Sequence, residues 1–444
     1  MQQLVYAFKP LSNYRFDNPG IAKKEIFIRP VMKALISTLV ISLTFIPFKA
    51  KSQNDNLNGL KKNDEPLRYV AIGSSLSAGV RDAGLYRESQ ISAFPNLIAK
   101  QMGLTDFRQP LFDLSEKNGI GFKKVQKKNG VLIFSKVTEM TAPEKKLPKV
   151  VGRIDNLSIP FLKVSNISVS ENMKGAFLPT FERSSYDHMH RFVKDDQNEG
   201  VSYLSLIQQE IDQVDFFTFE IGMHDFVSYY KNGGYGQSIS MMHHDREGYF
   251  PENEIIQHLI SKGGKGVLCN VPDVLKFPFF QQYRYDDIKG INGERVFAQF
   301  HWRGYVRNLN PNDIIIPDDY TNVLFTNVGY IGHSKEQPLL DEYVIGDEEK
   351  IDIKIYNRWI NAIADINKIP IVDLNSLYAR IIEGDYVTDD GLLIDPSYPE
   401  GNFFSSDGIH PTQIGQAVIA NEFIKTTNSY YGTKIPLISI KDLK

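Results

Sequence analysis

From Leu67 onward the chain shows short apolar runs separated by amphipathic stretches, the pattern of alternating strands and helices. The run from Leu67 to Ile72 is the first predicted strand. Val214 to Ile221, Gly266 to Asn270 and Ile369 to Leu374 are three more. Elsewhere the apolar positions recur at helical spacing. Phe94, Leu97, Ile98 and Met102 form one stripe, and Ile355, Trp359, Ile363 and Ile366 form another in a helix over about 351–367. A last helix starts near Thr412 and is expected to bury Ile414, Ala417, Val418, Ile419 and Phe423. Short apolar strands alternating with helices predict an α/β fold with a parallel sheet covered on both faces.

Two stretches break the alternation. Residues of about 104–200 and 280–345 are rich in Gly, Asn, Asp and aromatics and read as long insertions. In open α/β sheets, sites form beyond the carboxyl ends of the strands, where such insertions build pocket walls. Residues 53–66 are polar and read as a linker. Upstream, Met32-Lys33, an apolar stretch over 34–46 and small residues at Ala50 and Ser52 fit a secretory signal cleaved before Gln53. On that reading residues 1–52 are leader, with Met32 as the true initiator. A single domain then covers 67–432, and 433–444 is a tail. The apolar stretch is short for a bilayer, so no integral membrane span is expected after cleavage. No cysteine lies near the cleavage point, which excludes a lipoprotein anchor there. Export to the periplasm, the cell surface or the medium is the expected destination.

Composition changes this picture little. With 42% hydrophobic and 23% charged positions among 444 residues, there is ample material for one large core. A net charge of -3 gives no electrostatic case for nucleic acid, and short basic clusters such as Lys123-Lys124 and Lys127-Lys128 read as a solvated face. Cys269 is the single cysteine and lies in an apolar run, so neither an internal disulfide nor a cysteine-based zinc site can form.

The chemistry sits near the two ends of the domain. Gly73-Ser74-Ser75-Leu76-Ser77-Ala78-Gly79 follows the first strand, which would present the Ser75 hydroxyl at the sheet edge. Ser405-Ser406-Asp407-Gly408-Ile409-His410-Pro411-Thr412 precedes the last helix. Serine is a weak nucleophile until a base takes its proton and a carboxylate holds that base in the right tautomer. Asp407 and His410, three apart, can supply both. The spacing is not the Gly-x-Ser-x-Gly elbow of α/β-hydrolases, because position 77 is Ser and the acid closely precedes the histidine.

Here the chain resembles the SGNH, or GDSL, family of serine esterases and lipases. Gly73-Ser74-Ser75-Leu76-Ser77 is similar to that family's first block, Gly-Asp-Ser-Leu-Ser, and Asp407-Gly408-Ile409-His410-Pro411-Thr412 to its last. The segments Phe107 to Phe112, Asn270 to Val274 and Gln337 to Asp341 look like those of an exported Gram-negative subgroup. The resemblance covers about residues 66–432. It implies a three-layer, flavodoxin-like α/β/α fold, Ser75 as nucleophile, His410 as base and Asp407 as its orienting acid. Oxyanion donors would be the Ser75 N–H, the residue at the third block's Asn position and a second-block N–H. The third block, normally Gly-x-Asn-Asp, reads Gly222-Met223-His224-Asp225, so His224 replaces the Asn. In the second block, Asp155-Asn156-Leu157-Ser158-Ile159-Pro160-Phe161, Phe161 stands where a glycine is usual. Ser74 replaces the usual Asp of the first block.

The implied activity is hydrolysis of a carboxylic ester on a small molecule, a glycan such as an acetylated sugar, or a lipid, with no metal or organic cofactor. The rival from another class is a weakened or non-catalytic relative that binds a glycan or acyl ligand. His188-x-His190 with Asp187, and His243-His244-Asp245, are the candidate metal pairs, yet local spacing fixes no third ligand. Both are expected to be exposed or pocket-lining histidines. The aromatics Phe226, Tyr229, Tyr230, Tyr235, Tyr249 and Phe250 are expected mainly to fill the insertions.

Overall fold

The structure is a computed structural model, and it describes residues 56–61, 66–128, 131–136, 147–168, 183–192, 201–234, 250–285, 296–300, 305–318, 321, 335 and 337–443. Four strands form the central sheet: β1 (Tyr69–Gly73), β2 (Phe216–Glu220), β3 (Lys265–Cys269) and β4 (Ile371–Val372). They lie side by side in chain order and every pairing is parallel. All five residues of β1 and of β2 are buried, which is why these strands read as continuous apolar runs rather than alternating ones. Tyr69 and Thr218 are polar exceptions that pair with each other. The Tyr69 hydroxyl meets Thr218 Oγ1 at 2.9 Å across the β1–β2 pair. Beyond β1, residues 155–159 run parallel to it as an irregular edge, held by Ala71 N–H to Asp155 O, Leu157 N–H to Ala71 O and Ile159 N–H to Gly73 O.

The principal helices are α1 (Ser75–Ala78), α2 (Phe94–Gln101), α3 (Tyr203–Glu210), α4 (Met223–Lys231), α5 (Pro251–Ser261), α6 (Ile353–Asn367), α7 (Leu374–Glu383) and α8 (Gln413–Tyr431). α8 packs on α2, β3 and β4, and α3 packs on α5. Helices flank the parallel sheet, giving the expected three-layer α/β/α fold. Thr412 caps α8 by accepting the Gly415 N–H at 3.1 Å, and the helix stops at Gly432, whose φ is 69°. Phe94 and Phe423 stack at 4.7 Å between α2 and α8.

The apolar stripe of α6 differs from the expected one. Ile353, Tyr356, Asn357, Ile360, Ile363 and Ala364 are buried, whereas Ile366 is 73% exposed. Asn357 explains the rotation: its side chain accepts the Val271 N–H and donates to the Val271 carbonyl, both at 2.8 Å. A polar residue therefore faces inward, and apolar counting alone misplaces the face.

The insertions carry β-structure of their own. Lys123–Lys128 pairs antiparallel with Val131–Lys136, and Lys123 and Lys124 are exposed. Phe297–Phe300 pairs with Tyr305–Asn308, and Ile314–Ile315 with Val344–Ile345. The latter group closes over a small core that includes Val296, Ala298, Phe300 and Leu339. The main core reaches past the expected domain limits at both ends. Leu57 and Leu60 join it, as do Ile435, Ile438 and Ile440, and the Lys434 N–H donates to Asn56 O at 2.8 Å. Among the described residues no helix is long and apolar enough to cross a membrane.

Candidate active site

The carboxyl ends of the strands bring three segments together. The first is the turn after β1. Ser75 opens α1, and Gly79, with φ of 87°, closes it by donating its N–H to Ser75 O and Leu76 O. A Cβ at Gly73 would lie 2.3 Å from Ser77 Oγ and 2.9 Å from Glu220 O, so only glycine lets the chain turn this tightly. Ser75 is 1% exposed.

The second segment lies beside it. Phe161 donates its N–H to Ser75 Oγ at 2.9 Å. Its φ is 62°, a left-handed conformation that is rare for a bulky side chain. Neighbouring bonds over-determine that strain. Ser74 Oγ donates to Leu162 O at 2.7 Å, and the Val164 N–H donates to both carboxylate oxygens of Asp225 at 3.1 Å.

The third segment carries the acid and the base. Asp407 Oδ2 accepts from His410 Nδ1 at 2.7 Å and from the Ala83 N–H at 2.9 Å. Oδ1 accepts from the N–H groups of Ile409 and His410 at 2.9 and 2.8 Å, and from Ser405 Oγ at 3.2 Å. Burial opposes ionisation of Asp407, but His410 and these donors outweigh it and hold the carboxyl well below the usual carboxylate range. An ionised Asp407 fixes the His410 proton on Nδ1, which leaves Nε2 as the bare acceptor. Nε2 is buried and has no hydrogen-bond partner, so in this resting arrangement it is not bonded to the Ser75 hydroxyl. Residues 82–83 brace the loop: the Asp82 N–H donates to Ser405 Oγ, and the Ser406 N–H donates to Asp82 Oδ1. Asp82 and Ala83 both take φ of 58° to do so.

A model of the GDSL-like lipase/acylhydrolase family matches residues 69–423 of this chain. The chain belongs to that family. A search of curated proteins finds no match. Among solved structures it is similar to protein YXIM from Bacillus subtilis, at 12% identity and a TM-score of 0.31, over 83% of this chain and 59% of that one. The chain thus spans less than two thirds of that protein's length.

The third-block positions lie at the start of α4, with Gly222 as its N-cap. Gly222 reaches φ of 113°, where a Cβ would lie 2.4 Å from the Tyr356 hydroxyl. His224 follows in the first turn, half-buried, with Nδ1 covered and without a partner. Burial, and then Lys163, His410 and Lys231, push its pKa well below the ordinary histidine value. A neutral His224 donates from one nitrogen only. The Phe161 ring lies 5.4 Å from the His224 ring and 6.4 Å from that of His188. Burial first, then Arg191, pushes His188 down to about 3.

Ser75, Phe161 and His224 are therefore joined by contacts, and Asp407 by its bond to His410. Of the candidate metal residues, His188 turns inward beside Phe161 while Asp187 is exposed. Among the described residues no group of three His, Cys, Asp or Glu could hold a metal ion. His243, His244 and Asp245 lie outside the described residues, as do Tyr235 and Tyr249. Sequence reasoning missed Glu220, Asp225 and the 82–83 brace. A charged residue closing an apolar strand was the available signal for Glu220. The brace left none, because its partners are more than 300 residues away.

Proposed function

We propose that this acylhydrolase cleaves a carboxylic ester with Ser75 as nucleophile, His410 as base and Asp407 as the group that orients His410. His410 Nε2 takes the hydroxyl proton as Ser75 Oγ bonds to the ester carbonyl carbon, and the carbonyl π pair moves onto oxygen. Collapse of the tetrahedral species breaks the bond to the alcohol, which leaves with the proton from His410. Water repeats the sequence on the acyl-enzyme and releases the acid.

The observation that carries this reading is the Asp407-bound His410 with a buried, unpartnered Nε2. A buried acceptor left without a partner is unfavourable unless it has a use, and a serine or substrate proton supplies one. The Phe161 N–H already reaches Ser75 Oγ, so rotation of the hydroxyl toward His410 frees it for an oxyanion bonded to the same carbon. His224 and the Ser75 N–H are the further donors. Catalytic hydrogen bonds are commonly long or unmade before substrate binds.

The leader expected over 1–52 would direct export, so the substrate would be a small molecule, glycan or lipid ester met outside the cytoplasm. A specific observation favours a second reading, a weakened relative that holds a glycan or acyl ligand. The Phe161 ring occupies space against His224, and Ser75 is bonded to Phe161 rather than to His410. The test is hydrolysis of a series of esters, acetylated sugars included, by protein from Gln53 onward. Turnover lost in Ser75→Ala and in His410→Ala supports the enzyme. Folded protein that binds these esters without turning over any of them establishes the second reading.

A further inference from the structure

Glu220 closes β2, and its carboxyl group lies against the turn that carries Ser75. Oε2 accepts the Ser74 N–H at 3.1 Å, the Ser77 N–H at 3.0 Å and the Ser77 hydroxyl at 2.9 Å. The Glu220 carbonyl accepts the Ser74 N–H at 2.9 Å. Ser75 is thus suspended between two residues held by one side chain. Glu220 is 2% exposed, and its Oε1 has no partner. No step of ester cleavage described above uses this carboxyl group. An acid in the interior is unfavourable, and three hydrogen bonds to one oxygen satisfy only half of it.

We infer that Glu220 is a positioning residue whose charge sets the reactivity of Ser75: neutral, it holds the turn; ionised, it opposes the negative charge that develops at Ser75 and the acyl oxygen. The inference rests on Ser75 being the nucleophile. Its physical basis is that like charges in a poorly solvated interior repel over the length of one turn. The titratable groups that face Glu220 are Tyr203 from α3, Cys269 from β3 and Tyr378 from α7. Burial pushes all three upward, so they stay neutral around pH 7. Glu220 itself is pushed up to about 7 by burial, against the pull of the Ser77 and Ser74 donors. It is therefore the member of this group that changes charge near neutrality.

The experiment follows the rate of fluorophosphonate labelling at Ser75 across about pH 6 to 9.5, where a rising limb reports the base and a falling limb a second ionisation. In the wild-type protein the rate should rise and then fall by about tenfold through an ionisation near 7. Glu220→Gln keeps an acceptor for the turn and should lose the falling limb, labelling about tenfold faster than wild type at the alkaline end. Glu220→Ala, without the acceptor, should slow labelling at every pH, which the Gln variant does not. Glu252 is also pushed up to about 7 by burial, and Glu252→Gln should leave the profile unchanged. Should Glu220→Gln not fold, carbon-13 NMR of glutamate-labelled Glu252→Gln protein must show a carboxyl titrating with the midpoint of the falling limb. A Gln profile of the same shape as wild type, or no such carboxyl, overturns the inference while leaving Ser75 as nucleophile. No labelling of folded wild-type protein at any pH overturns both.

Discussion

Asp407 accepts five hydrogen bonds and is driven strongly toward its ionised form, whereas Glu220, equally buried, accepts three on one oxygen and is pushed up to about 7. Both lie at the carboxyl edge of the same sheet. The difference is the donor set: His410 Nδ1 at 2.7 Å and four further donors reach both oxygens of Asp407, whereas every donor to Glu220 falls on Oε2. The same asymmetry divides the site. On the base side, the 405–410 loop and the 82–83 brace satisfy every oxygen of the acid. A bonded scaffold therefore holds the proposed base on both oxygens of its acid, while the proposed oxyanion side carries strain at Phe161 and an unpartnered His224 Nδ1.

Breaking the better-bonded side should have the largest effect. Asp407→Asn retains the shape but lets His410 adopt the other tautomer, and the labelling rate of Ser75 should fall by about 10⁴. A loss below tenfold would show that the bonded side does not hold the base. His224→Ala removes a proposed oxyanion donor and should lower kcat by about 10²–10³, with His224→Asn recovering most of it. If Ala and Asn behave alike, His224 packs rather than donates.

Glu252, beside Tyr356, extends the comparison to a third buried carboxyl, one outside the site. Burial raises its pKa from 4.5 to about 7. Between those values the folded protein keeps a proton that the unfolded chain has released, so stability falls as pH rises and the penalty is complete above 7. Glu252→Gln should therefore stabilise the protein at pH 8 by up to about 3 kcal/mol and give no gain near pH 4, read from denaturant midpoints. The smallest effect belongs to Phe161→Gly, which keeps the N–H, relieves the left-handed strain and opens space against His224. Longer acyl chains should gain about tenfold over acetyl in kcat/KM. An unchanged preference would place the acyl chain elsewhere.

Much of this was legible in the sequence because the same residues serve fold and pattern. The run from Tyr69 to Ile72 is apolar because β1 is buried on both faces, and the glycines at 73 and 79 mark the turn around Ser75. Asp407 and His410 could be read because their bond is local. Phe161, 86 residues from Ser75, was reached only through the family resemblance, whereas the contact of Ala83 with Asp407, 324 residues apart, left no signal. The inward face of α6 was misplaced because Asn357 is buried by hydrogen bonding to Val271, which no hydrophobic pattern registers.

The central claim is that His410 activates Ser75. Fluorophosphonate labelling of protein from Gln53 onward, with peptide mapping and a Ser75→Ala control, tests it without choosing a substrate. The account predicts a label on Ser75 that is absent from the control and strongly slowed in His410→Ala. A well-folded protein that stays unlabelled, or one labelled equally fast without His410, would contradict it.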